Sequence, residues 1–158
     1  LINYNNFNSN WKKILGFRNM QEKLEKYIIC CFLIFFIQIF FQPTNGRFCR
    51  LELSNTQCRL LARTACYLFD FLVEAASFEA DKILDDFLKD FQDCIISLIH
   101  SDSAHDCLLS PTRVASTGCQ YYFLFIGRLS KSARGREALD QRSILGHFTE
   151  LLGTVIQN

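Results

Sequence analysis

Residues 77–100 read SFEADKILDDFLKDFQDCIISLIH, and this stretch decides the fold. Ile83, Leu84, Phe87, Leu88, Phe91, Ile95, Leu98 and Ile99 recur at the three-and-four spacing that lines up one face of an α-helix. Lys82, Asp85, Asp86, Lys89, Asp90 and Asp93 fall on the other side and read as an ordinary solvated face. Ser77 offers a capping hydroxyl, and Glu79 and Asp81 sit where a helix N-terminus favours negative charge. The helix should end near His100, because residues 101–105 (SDSAH) read as a loop.

The same period extends in both directions. Upstream, Cys58, Leu61, Ala62, Ala65, Leu68, Phe69 and Leu72 form a second stripe, with Arg59, Arg63 and Asp70 off it. Ser54 is the expected N-cap of that helix, which should run to about Ala76. Downstream, Ser110-Pro111 is a strong start signal, a hydroxyl followed by proline at the first helical position. One helix is expected to run from there through Cys119 and residues 121–126 (YYFLFI), covered by neighbours on most faces. Gly118 and Gly127 lower its propensity by about 1 kcal/mol each relative to alanine, and close approach of another helix backbone is their expected use. A short helix from about Ser132 to Asp140 follows. The last should span about Ser143 to Ile156, with Ile144, Leu145, Phe148, Leu151, Leu152 and Val155 inward. Long helix, Gly-Arg turn, short helix, long helix is an armadillo-like order, although one copy does not make a repeat. With seven Gly and two Pro the chain lacks the turn density of a many-stranded β protein. The expected fold is all-α, an armadillo/HEAT-like helical-repeat (α-solenoid) fragment. Such a fragment keeps exposed apolar ends and is not expected to fold stably alone.

A chain of 158 residues, 49% hydrophobic and 21% charged, is globular in composition. It opens on Leu1 and stops at Asn158, and a piece of a longer protein is the expectation. Its net charge of +1 gives no general attraction to nucleic acid or to an anionic membrane surface. The eight cysteines include no CxxC pair, and several fall on apolar stripes; buried free thiols are expected over a disulfide framework.

Residues 27–41 (YIICCFLIFFIQIFF) stand apart, apolar but for Gln38. The run is shorter than the ~20 apolar residues of a membrane span. As a leader starting at Met20 it lacks the positive start, since Glu22 and Glu25 offset Lys23 and Lys26, and no small-x-small cleavage site follows. A buried helix, or a pyrimidine-rich intron end translated in error, ranks above a leader, and a leader above a span.

No constellation of residues carries catalytic chemistry. Cys94, His100, His105 and Cys107 have the right atoms for zinc but not its closely paired spacing. His147 lies on a mainly apolar helix and reads as packing. Residues 127–136 (GRLSKSARGR) are basic and glycine-containing but lack the Gly-Lys-Ser/Thr ending of a phosphate loop. The carboxylates from Asp81 to Asp93 lack a partner pocket, and no G-x-S-x-G elbow occurs. No catalytic, cofactor or metal residue is assigned, and an enzyme is not expected.

Residues 120–130 (QYYFLFIGRLS), then Gly135, Leu139 and the leucine-rich helix beyond, closely resemble the rictor family. The stretch from Cys58 to Leu72 and the acidic helix Leu84 to Leu98 resemble the preceding helices of that family in the same order. Trp11, Ile14, Leu15 and the run from Phe17 to Tyr27 resemble it more faintly. Where family members carry a basic helix with paired arginines, this chain reads Lys26-Tyr-Ile-Ile-Cys-Cys, so any anion contact of that helix is not carried over. The resemblance implies a cytoplasmic scaffold that binds a TOR kinase and the other subunits of its rapamycin-insensitive complex, supporting signalling to AGC-family kinases. It assigns packing roles to Tyr121, Phe125 and Leu151. The expected organisation is a partial, weakly rictor-like helical segment at 1–26, the apolar run at 27–41, and a rictor-like helical-repeat segment at 49–158. The competing readings are a small secreted disulfide-bonded helical protein with a leader at residues 20–46, and a membrane-inserted module using the apolar run.

Overall fold

The computed structural model describes Leu24, Ile28, Phe32 and residues 35–44, 46–75, 77–100 and 107–157. It divides into two compact units, Leu1–Phe35 and Phe36–Asn158. In the first, Leu24, Ile28, Phe32 and Phe35 are helical and exposed. The expectations for residues 1–23 and for the 101–105 loop lie outside the described residues.

The second unit begins with a π-helical turn, Ile37–Phe41, and a 3₁₀ turn, Phe48–Arg50. Six α-helices follow: α1 (Thr56–Ala75), α2 (Phe78–His100), α3 (Pro111–Ser116), α4 (Gln120–Leu129), α5 (Ala133–Gln141) and α6 (Ile144–Gln157). The described residues contain no strand, only an isolated antiparallel bridge between Glu52 and Thr117. The fold is all-α, as the periodicity indicates. Helices α1 and α2 form a hairpin; α4 packs along α1, α6 packs along α2, and the short α5 joins the second pair while touching α2. The expected long–short–long order is not found: α4 has 10 residues, α5 has 9 and α6 has 14, and Gly127 and Arg128, expected in the turn, lie inside α4.

Two helix starts behave as read from sequence. The Ala80 amide donates to Ser77 Oγ (3.2 Å), and the Gly135 amide donates to Ser132 Oγ (2.9 Å). Two others do not. Asn55 rather than Ser54 caps α1, its Oδ1 accepting from the Gln57 amide (2.9 Å), while Ser54 Oγ donates to Glu52. Ser110 precedes α3 as expected, but its buried hydroxyl caps nothing.

The expected single helix from Pro111 to Ile126 is two. Residues 117–119 break it because the backbone there pairs with residues 51–53: the Leu53 amide donates to Ser116 O (3.0 Å) and the Gly118 amide to Leu51 O (2.8 Å). Gly118 is what makes the approach possible, since a Cβ there would lie 2.5 Å from Phe48 O. The same expectation fails at Gly127, which has nothing within 4 Å of a Cβ position. Gly135, buried against the Leu129 carbonyl, and Gly46, against the Gln42 carbonyl, are further close approaches. Ser143 turns the chain from α5 into α6 at φ 51°, a left-handed conformation uncommon outside glycine.

The core is a cluster of rings. Phe125 stands within 5.2–6.0 Å, centroid to centroid, of Phe41, Phe48, Phe69 and Tyr122. Phe87 and Phe91 extend it along α2. Ile37 and Phe41, from the end of the apolar run, are buried in the same core. Helix α4 is covered on fewer faces than expected: Tyr122, Phe125, Ile126 and Leu129 are buried, but Phe123 and Leu124 are exposed. Leu145 and Leu152 of α6, expected inward, are also exposed, whereas Ile144 is fully buried.

Candidate functional site

The polar organisation of the unit lies in the connection that carries the basic residues. Arg128 at the end of α4 pairs side-on with Asp70 of α1, its Nε donating to Oδ1 (3.1 Å) and Nη2 to Oδ2. Arg134 of α5 pairs with Asp81 of α2 and donates to the Val73 carbonyl (3.2 Å). Arg142, after α5, grips Asp85 one turn further along α2, with Nε–Oδ1 2.8 Å and Nη2–Oδ2 2.5 Å. Three planar guanidinium forks therefore pin the α4–α5–α6 connection onto the α1–α2 hairpin. Asp81 and Asp85 are thus not the bare solvated face read from sequence. Each carboxylate is paired across more than fifty residues of chain. All three pairs are part-exposed, so each contributes on the order of 0.2–1 kcal/mol and mainly fixes registration.

Further along α2, Asp90 accepts from the Thr44 amide (2.8 Å) and hydroxyl (2.7 Å), fastening the chain after the π-helical turn. Gln92 Nε2 lies 3.0 Å from His147 Nε2, and His147 Nδ1 is 3.8 Å from Glu150. His147 is a half-buried bridge between α2 and α6, the packing role expected of it.

Among the described residues no three metal-binding side chains are gathered. Cys94 is buried, His100 is exposed at the end of α2, and Cys107 Sγ donates to the Ser97 carbonyl (3.6 Å); His105 lies outside the described residues. Cys49, Cys58, Cys66, Cys94, Cys107 and Cys119 are all free. Cys49, Cys58, Cys94 and Cys119 are buried, and Tyr122 lies in the core with its hydroxyl unpartnered. Burial pushes the Cys94 thiol up to about 12 and the Cys49 thiol to about 11, with neighbouring Cys119 adding to the latter. Such thiols are poor nucleophiles at neutral pH.

Of the residues given packing roles, Phe125 is the centre of the ring cluster. Tyr121 reaches Phe48 (6.0 Å) from a half-exposed position on α4. Leu151 is half-buried on α6. The arginine–aspartate pairs were not assigned from sequence. The available signal was four arginines between residues 128 and 142 and aspartates one turn apart on α2.

Among the described residues, no helix is long and apolar enough to cross a membrane.

Residues 100–155, which take in α3 to α6, match the family model described as rapamycin-insensitive companion of mTOR, middle domain. A curated human protein, rapamycin-insensitive companion of mTOR, is 27% identical over 107 residues. That alignment takes in 66% of this chain and 6% of the human protein, so the chain spans a small part of its relative's length. With the family's middle-domain pattern lying over the interlocked α3–α6 segment, the chain is rictor-like in sequence, and its described residues form an all-helical unit.

Proposed function

We propose that the chain is a scaffold segment of a rapamycin-insensitive TOR kinase complex, joining the kinase and its partner subunits by protein–protein contact and so supporting signalling to AGC-family kinases. Armadillo-like stacking, a non-catalytic role and a cytoplasmic location belong to the same proposal. The observation that carries it is the match of residues 100–155 to the rictor middle domain. Free rather than paired cysteines from Cys49 onward favour it over the secreted, disulfide-bonded alternative.

The test is affinity purification of the tagged 158-residue chain from cells of its source, followed by immunoblotting for TOR kinase and for rapamycin-sensitive-complex subunits. TOR kinase should be recovered without the latter. Absence of the kinase from a folded, helical preparation would overturn the proposal.

A further inference from the structure

Between α1 and α4 runs an open groove of about 360 Å³. It exists because α1 sets small side chains toward α4: Ala62 is the floor and Cys66 lies beside it, half-buried. Tyr67 and Tyr121 stand on its two banks, and Leu124 is exposed on the α4 side. Arg59 and Arg63, one helical turn apart, line the α1 side. Arg63 is pre-oriented: its guanidinium lies 5.9 Å from the Tyr67 ring centroid and donates to the Tyr67 hydroxyl (3.4 Å).

The charges here differ from those of the clamps. Arg128, Arg134 and Arg142 are each neutralised by an aspartate. Arg128, which also lines this groove, is already taken by Asp70. Arg59 and Arg63 have no carboxylate partner among the described residues, so the groove joins an apolar, aromatic floor to two unneutralised cations. Interface hot spots combine aromatic residues and arginine, and charge complementarity selects the partner.

We propose that the α1–α4 groove docks an acidic peptide segment of a partner protein, with one large apolar side chain over Ala62 between the two tyrosines and carboxylates on either side of it answering Arg59 and Arg63. This holds whether or not the chain assembles with a TOR kinase.

The probe is a fluorescein-labelled peptide in which glutamates flank a tryptophan, titrated into the full chain by fluorescence anisotropy. Its controls carry lysines for the glutamates, or alanine for the tryptophan. The glutamate–tryptophan peptide should bind at least about tenfold more tightly than either control. Arg59→Ser/Arg63→Ser and, separately, Leu124→Ser should each remove most of that advantage while leaving the helical circular dichroism intact. Lys82→Ser/Lys89→Ser, an equal loss of two charges on α2, should not. Bound peptide should slow alkylation of Cys66 but not of Cys107. Equal binding of the peptides, an equal loss in Lys82→Ser/Lys89→Ser, or no protection of Cys66 would overturn the proposal. So would a concentration-dependent dimer that Arg59→Ser/Arg63→Ser breaks and the peptide does not, since a second copy would then own the groove.

Discussion

Replacing Phe125 with alanine should remove about 3–5 kcal/mol of stability, a large fraction of the roughly 5–15 kcal/mol that a domain has to lose. Phe125 is fully buried, and four rings surround it: Phe69 at 5.2 Å, Tyr122 at 5.7 Å, Phe48 at 5.8 Å and Phe41 at 6.0 Å. Those rings come from α1, from α4 itself, from the 3₁₀ turn and from the π-helical turn. Four separately anchored segments cannot all move in to fill the space, so the cost belongs near the top of that range. The control is two residues away. Phe123 is on the same helix with the same side chain, but is 41% exposed and has ring neighbours at Phe148 (5.7 Å) and Phe91 (6.5 Å). Phe123→Ala should cost about 1 kcal/mol. Urea unfolding of the full chain, followed by far-ultraviolet circular dichroism, gives both numbers, provided the dependence on denaturant is unchanged. Costs within about 0.5 kcal/mol of each other would show that the ring cluster is not the centre of the unit.

Gly118→Ala and Gly127→Ala should move in opposite directions in the same assay. The first forces a Cβ to 2.5 Å from Phe48 O, while the second, with open space around it in α4, should stabilise by about 1 kcal/mol. A double-mutant cycle on Arg142 and Asp85 should give a coupling of about 0.5–1 kcal/mol that shrinks in 1 M salt. The raised thiols set an alkaline limit. Below the ordinary thiol value of 9.0 both folded and unfolded chains keep these protons; above it the unfolded chain releases them first. Stability should therefore fall between about pH 9 and the folded values of about 11 and 12, and Cys49→Ala/Cys94→Ala should flatten that fall in thermal melts taken across the range. A chain cut to residues 49–158 should not melt cooperatively, because it loses Phe41 and Phe48, both at 0% exposure in the ring cluster; one starting at residue 36 keeps both.

What was legible from the sequence was whatever depends on local period. The buried stripes of α1 and α2 are those read from spacing, with Leu61, Leu98 and Ile99 only half-buried at their edges. What was not legible depends on a partner far away in the chain. Between residues 111 and 126 only Gly118 hints at the break at Thr117, because its cause is a backbone pairing with residues 51–53. Leu145 and Leu152 carry the same hydrophobic signal as Ile144, but hydrophobicity does not say which side of α6 meets α2. In the sequence, residues 127–136 invite comparison only with a phosphate loop, Arg142 does not stand out, and Asp85 reads as solvated charge on α2. Only the fold brings Arg134 onto Asp81 and Arg142 onto Asp85.

That division also bears on what the fragment is built to do. Its arginine forks fix how the α4–α5–α6 connection sits on α2, and contribute little net stability because they are part-exposed. Its stability comes instead from the ring cluster, which also draws in Phe41 and Phe48 from outside the helices. Meanwhile Leu60, Tyr67 and Phe71 on α1, with Phe123, Leu124, Leu145 and Leu152 on α4 and α6, stay at the surface. Single exposed apolar residues are ordinary, but grouped on particular helices they mark surfaces that stacked repeats or partners cover. Rigid registration inside, with apolar faces left open outside, suits the scaffold role proposed above, and among the described residues the tyrosine-and-arginine groove is the surface where charge would select the proposed occupant.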